Sequence, residues 1–286
     1  MSVYLDNNAT TSLDEAVLES MLPYMGAYAG NPSSLHRYGR LQRDAVEHAR
    51  EQVARLAGAR AEQVIFTSGG TESNNLLLRG LVRGLLLERS REKHTRSSVP
   101  KIAISAIEHP SLLQPAEDLA DSGEAEILSL PVDAAGRIDL AAATELVSSD
   151  TALITVMAAN NETGVMQDTA ALAEMALEKQ CFFHTDASQA AGKTALDFAA
   201  APIHAMTLSA HKFHGPLGAG ALIVDRSLPL SSNMHGGAQE KGLRAGTENV
   251  PAIVGFGAAA ELALQELDER SRHTLELRLA LETGLK

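Results

Sequence analysis

The stretch Val64-Ile-Phe-Thr-Ser-Gly-Gly-Thr71, running into the apolar residues 76–87, decides how this chain folds. Its first four residues form a short run of good strand formers, and residues 76–87 carry the periodicity of a helix. The glycines between them let the backbone turn sharply. A strand passed directly to a helix is the unit of an α/β layer structure. Working outward, the same alternation recurs. Residues 101–105, 126–130, 152–157, 181–184, 205–209 and 220–224 are further short apolar runs, bounded by polar, glycine or proline residues. Continuous apolar runs of this length suit strands buried on both faces of a mainly parallel sheet. Residues 41–56 place Leu41, Ala45, Ala49, Val53 and Leu56 three or four apart, with Gly58 as a stop, and so read as an amphipathic helix. Residues 111–122 and 168–179 read the same way. Residues 251–286 form one long helical pattern rich in Ala, Leu and Glu, and 79–100 read as a helix end followed by an exposed, solvated loop. The expectation is an α/β fold with a mainly parallel seven-stranded sheet flanked by helices.

Composition narrows the function. The chain has 286 residues and a formal net charge of −12, a sign that repels nucleic-acid phosphates. No apolar run approaches the ~20 residues that span a bilayer. The start, Met-Ser-Val-Tyr-Leu-Asp, has neither the basic residues nor the apolar stretch of a secretory signal. A single cysteine, Cys181, leaves no internal disulfide framework. These features predict a cytoplasmic protein with no membrane or nucleic-acid partner, in which the sequons at Asn8 and Asn161 stay unmodified. With no tryptophan and 3% aromatic residues, the core must be aliphatic and rich in alanine. No metal site is expected.

Chemistry gathers just past the strand candidates. Lys212 lies in Ser-Ala-His-Lys-Phe-His-Gly-Pro, residues 209–216. A lysine in such a setting suits a site where desolvation and neighbouring cations lower its pKa and free the amine to attack a carbonyl. Asp186 closes the run Cys-Phe-Phe-His-Thr-Asp, at a strand's carboxyl end, where ligands of open α/β sheets bind. It can hold a pyridine nitrogen protonated, or it can cap a helix. Gln189 can face the same crevice or complete a capping box. Gly69, Gly70 and Thr71 offer backbone N–H groups and a hydroxyl to an anion at a helix start; an ordinary strand–helix turn capped by Ser68 or Thr71 is the alternative. His109 can stack on a planar ring or move protons. Asn160 and Asn161 place amides in a turn past the fourth strand candidate. In a parallel sheet these ends share one edge, so the set converges on one crevice. A lysine, an acid and an anion cradle together are what a pyridoxal-phosphate (PLP) site needs.

The order of motifs adds a resemblance. Tyr4-Leu-Asp-Asn-Asn-Ala-Thr-Thr11, Asn31-Pro-Ser-Ser-Leu-His36, Phe66-Thr-Ser-Gly-Gly-Thr-Glu-Ser-Asn-Asn75, Asn160-Asn-Glu-Thr-Gly-Val165, His184-Thr-Asp-Ala-Ser-Gln189, Ser209-Ala-His-Lys212 and Arg244-Ala-Gly-Thr-Glu-Asn249 resemble the cysteine desulfurases of the NifS/IscS type, in the class V aminotransferase group. The resemblance implies a PLP fold-type I large domain and a homodimer. It implies removal of sulfur from L-cysteine, giving L-alanine and an enzyme persulfide for iron–sulfur cluster assembly or tRNA thiolation, through a sulfur-acceptor or scaffold protein. By the same resemblance Lys212 would be the Schiff-base lysine and His109 would stack on the ring. Asp186 would pair with the ring nitrogen, and Asn161 and Gln189 would contact the ring oxygen. Gly70, Thr71, Ser209 and His211 would hold the phosphate, and Thr247 would reach the phosphate in the partner subunit. Asn31 would line the substrate pocket.

The family's nucleophilic cysteine belongs to a C-terminal small domain, which is expected to be largely missing here. Cys181, at the start of the strand leading to Asp186, reads as an inert core thiol. The expected organisation is an N-terminal segment, 1–15, a PLP-binding large domain, 16–255, and a connecting helix, 256–286. Either the sequence is a fragment of a longer desulfurase or it keeps the cofactor site without the transfer step. Two other readings stand beside it. One is another class V enzyme, such as a selenocysteine lyase or a small-substrate aminotransferase; the other is a non-catalytic partner subunit.

Overall fold

A computed structural model describes residues 3–91 and 99–285. The loop expected before Pro100 lies, over 92–98, outside the described residues. Seven strands form one sheet: β1 (Val64–Thr67), β2 (Lys101–Ser105), β3 (Glu126–Leu130), β4 (Thr151–Thr155), β5 (Phe182–Asp186), β6 (Ala205–Ser209) and β7 (Gly220–Val224). Their order is β1-β7-β6-β5-β4-β2-β3. Only β7 runs against its neighbours, β1 and β6; the other pairs are parallel. The mainly parallel seven-stranded sheet expected from the sequence is present, flanked by helices.

Alternation along the strands sorts the core into two layers. Phe66, Ala103, Ile154, Phe183 and Leu208 face one side. There they meet α1 (Glu15–Met25), α2 (Arg37–Ala57), α6 (Thr169–Glu178) and α7 (Val250–Gln265), through Met21, Val53, Leu172 and Phe256 among others. Ile65, Ile102, Leu153 and Leu222 face the other side, against Leu77 and Leu81 of α3 (Gly70–Arg91) and Leu112 and Leu119 of α4 (Pro110–Asp121). Burying both faces is why the strands read as unbroken apolar runs.

Local chemistry sets the boundaries. α2 starts at Arg37, ahead of the expected 41, because the His36 ring accepts the Gly39 N–H and caps it. It stops at Gly58, whose left-handed φ of 64° lets its N–H return to Ala54 O. β4 ends at Thr155, two residues short of the expected Met157. β5 runs two residues beyond the expected His184, which carries Asp186 into the strand beside Thr207 of β6. The helical pattern over 251–286 is not one helix. It breaks at Glu266 into α7 and α8 (Leu267–Leu285), bent by 70°. The physical difference is burial: α7 packs on α1 and α2, whereas α8 buries no residue. The domain boundary expected at 255 therefore falls inside α7, a helix that belongs to the core.

Candidate active site

At one edge of the sheet a cleft of about 740 Å³ collects residues from distant parts of the chain. Gly70, Thr71, His109, Asn161, Asp186, Gln189, Ser209, His211 and Lys212 all line it, nine positions singled out from sequence. That volume is in the usual range for a cofactor or small-molecule site.

One end is built for an anion. α3 begins at Gly70, directly after the turn from β1, so the turn and the positive end of the helix coincide. The turn is held by Glu72, which accepts the Ser68 N–H at 2.7 Å and pairs with Arg244 at 2.9 Å. Burial pushes Glu72 up, and the bonds from Arg244 and Ser68 outweigh it, leaving the carboxyl below its ordinary range. Backbone closeness is essential here. A Cβ on Gly220 would lie 2.6 Å from Gly69 Cα, and one on Gly70 would stand 3.3 Å from Ser188 Oγ, inside the cleft. Opposite lie Ser209, at the end of β6, and the 3-10 turn Ala210–Lys212 that follows it.

The floor is Asp186. It is 7% exposed; its Oδ1 accepts the Ser188 N–H at 2.9 Å and its Oδ2 accepts an amide proton of Asn74 at 2.8 Å. The helix-cap alternative fails, because among the described residues no helix stands between β5 and β6 and the bond to Ser188 closes a turn. Beside it Glu108 is sealed in the interior, and burial, then the nearby Asp186 charge, raises its carboxyl well above the usual range. Its Oε1 accepts the Met157 N–H at 2.5 Å. His109, next along the chain, caps α4 through Nδ1, which accepts the Ser111 N–H at 3.1 Å, and its exposed ring forms the rim of the cleft.

Lys212 is half-buried, and its Nζ donates to the Asn8 and Ala9 carbonyls at 2.7 and 2.9 Å. Burial lowers its pKa, while Asp186 and Asp6 pull the other way. The sequence reading gave desolvation and neighbouring cations as causes; burial does lower Lys212, while the charges that act on it are the carboxylates of Asp186 and Asp6. Lys193 is lowered to about 8 by burial and then by its neighbour Lys212. Lys193 donates to Gln189 Oε1 at 2.7 Å, and Gln189 in turn donates to Asn8 O at 2.8 Å. Asn161 lines the cleft, with its amide donating to Glu162. His211 bonds Thr10 Oγ1 at 3.0 Å, and burial, then Lys212, lowers its pKa.

Two predicted positions stay outside the cleft of this chain. Thr247 is exposed, on the loop before α7. Asn31 is exposed and accepts the Ser33 N–H at 2.9 Å, in a turn ahead of α2. Sequence reasoning assigned no role to Asp6, Asn8, Ala9, Asn74, Ser111 or Lys193. Asp6, Asn8 and Ala9 sit in a quoted motif, but only folding brings residues 6–11 across onto His211 and Lys212. Cys181 is 3% exposed, and burial pushes its thiol up to about 11.

The residues fit PLP. A helix start and a close glycine turn suit the phosphate, an acceptor-only carboxylate suits a protonated ring nitrogen, and a partly desolvated amine suits the aldehyde. Fold and cleft together define a PLP enzyme of fold type I. The model of the aminotransferase class-V family matches residues 3–286, and the chain belongs to that family. The cysteine desulfurase IscS of Methanosarcina thermophila is 42% identical over 284 residues, covering 99% of this chain and 68% of the relative. A NifS-like protein of known structure superposes with a TM-score of 0.92 at 37% identity, over 100% of this chain and 76% of the other. A structure described as SspA in complex with cysteine gives 0.83 at 36% identity, over 91% and 72%.

Proposed function

We propose that this chain is the PLP-binding part of a cysteine desulfurase that acts on L-cysteine as a homodimer in the cytoplasm. The observation that carries the reading is the meeting of Lys212, Asp186 and the Gly70–Thr71 helix start on one cleft. The desulfurase relatives and the cysteine bound to SspA support the substrate.

Bound PLP supplies an electrophilic carbonyl and a ring that withdraws electrons from the substrate carbon. The chain supplies the rest. Burial of Lys212 favours its free amine, the form that attacks a carbonyl or takes a proton. Asp186, fixed by Ser188 and Asn74, would offer its carboxylate to the ring nitrogen and hold a proton there. His109 would cover the ring from the rim, and Gly70, Thr71, Ser209 and His211 would hold the phosphate. Cys181 does not accept sulfur: it is buried in the core and its thiol resists ionisation. The sulfur released supplies iron–sulfur cluster assembly or tRNA thiolation through an acceptor protein.

Incubated with PLP, the purified protein should turn yellow, and borohydride should fix the cofactor to Lys212. Lys212→Ala should lose the fixation, and L-cysteine should yield L-alanine when an added thiol attacks the substrate sulfur and carries it off as a persulfide. A colourless protein at saturating PLP would overturn the cofactor site, and formation of a keto acid from cysteine would overturn the reaction.

A further inference from the structure

Asn74 lies in the first turns of α3, one helical turn beyond the anion end of the cleft, and it is fully buried. Its Nδ2 donates to two acceptors, Asp186 Oδ2 at 2.8 Å and Ser111 Oγ at 2.9 Å, so both amide protons are used. Its Oδ1 has no hydrogen-bond partner among the described residues, although it is sealed from solvent. An unsatisfied buried carbonyl is unfavourable, and an apolar side chain of similar size would avoid it. Flipping the amide gives no relief, because Oδ1 would then face the Asp186 carboxylate, oxygen against oxygen. The carboxylate therefore dictates which way Asn74 points.

The second arm continues to the rim. Ser111 Oγ receives a proton from Asn74 and so has its own to give, and His109 Nδ1 stands 2.8 Å away. The Ser111 backbone N–H reaches the same nitrogen at 3.1 Å. Nδ1 is thus an acceptor twice over, and the neutral ring carries its proton on Nε2. One buried amide links the acid on the floor to the ring on the rim, across residues 74, 111, 109 and 186.

We propose that Asn74 is a positioning residue. Its two amide protons hold Asp186 as the anion that faces the pyridine nitrogen and, through Ser111, fix the tautomer and orientation of His109. The proposal rests on the cleft being a PLP site, and it adds a device that sets both partners of the ring together. A residue that merely filled space would be replaceable by leucine without electronic effect.

The test uses PLP labelled with ¹⁵N in the ring, together with ¹⁵N-histidine protein. In the unaltered chain the pyridine nitrogen should be protonated at neutral pH. Asn74→Leu, and the smaller Asn74→Ala, should move its signal toward the unprotonated form. Both should weaken PLP binding tenfold to a hundredfold, as expected for the loss of one charge-assisted hydrogen bond. Ser111→Ala should leave the pyridine signal in place and alter the His109 imidazole signals alone. A folded Asn74 variant that keeps the original pyridine signal and affinity would overturn the proposal. If the unaltered chain takes up no PLP, the cofactor reading falls instead. The bridge is then decided in cofactor-free protein, where identical His109 signals in the unaltered chain and in Asn74→Leu would refute it. Should both Asn74 variants fail to fold, unchanged His109 signals in Ser111→Ala would refute it.

Discussion

His184 lies under the cleft with no exposed surface, its Nδ1 on Thr155 Oγ1 at 2.7 Å and its Nε2 on Thr207 Oγ1 at 3.1 Å. Burial holds its pKa down to about 4, against the pull of Asp186. The unfolded chain binds a proton at this ring near pH 6.5 and the folded chain does not, so the unfolded state carries more protons between those values. Stability from His184 is complete above pH 6.5 and is lost as pH falls toward 4, on the order of 3 kcal/mol over the window. Denaturant midpoints at pH 7 and pH 4.5 should therefore differ less in His184→Gln than in the unaltered chain; equal differences would refute this account. Glu108 has the opposite sign: its raised carboxyl stabilises the fold at low pH, and that contribution is lost as pH rises through its folded value. Lys212 and Asp186 were legible from their immediate neighbours because their chemistry follows from residue type and from position after a strand. The raised carboxyl of Glu108 was not legible, since it depends on burial and then on Asp186 being close in space, 78 positions away by number.

Among the elements, the loop that follows Gln239 is held by one buried charge pair. Arg50 of α2 donates Nη1 and Nη2 to Glu240 at 2.8 Å each, and Glu240 also accepts the Phe66 N–H at 2.8 Å. Burial alone would lower the Arg50 pKa, and the bonds to Glu240 outweigh it, so the guanidinium is held charged. Glu240 and Lys241 adopt left-handed φ values of 44° and 59°, a strained backbone for side-chain-bearing residues, which these bonds keep in place. Arg50→Met should lower unfolding free energy by about 3–5 kcal/mol, because it leaves a buried carboxylate unpaired. Arg50→Met combined with Glu240→Leu should recover part of that loss. Chemical denaturation of the single and double variants checks both, and additive losses would refute the pairing. Strand and helix positions were largely readable at this scale, since apolar period and turn residues are local signals. The break at Glu266 was not, because α7 and α8 share a helical pattern and differ in what they pack against.

At the scale of the molecule, Thr247 bears on the proposed dimer, since it is exposed and lies outside the cleft of its own chain. If it serves the partner's cofactor, Lys212→Ala protomers mixed with Thr247→Ala protomers should regain one intact site per mixed pair. Cofactor retained through gel filtration should exceed that of Thr247→Ala alone, and no gain would exclude the shared site. The sequence by itself determined the α/β alternation, the candidate strand ends and most of the residues on the cleft. Those are set by short-range period and by the rule that parallel strands share one carboxyl edge. Only the tertiary structure decided that residues 6–11 cross onto Lys212, that the carboxylates of Asp186 and Asp6 stand against the burial that lowers that lysine, and that Asn74 links Asp186 to His109. The physical reason is the same each time: desolvation and hydrogen-bond partnership depend on distance in space, and sequence separation does not encode that distance.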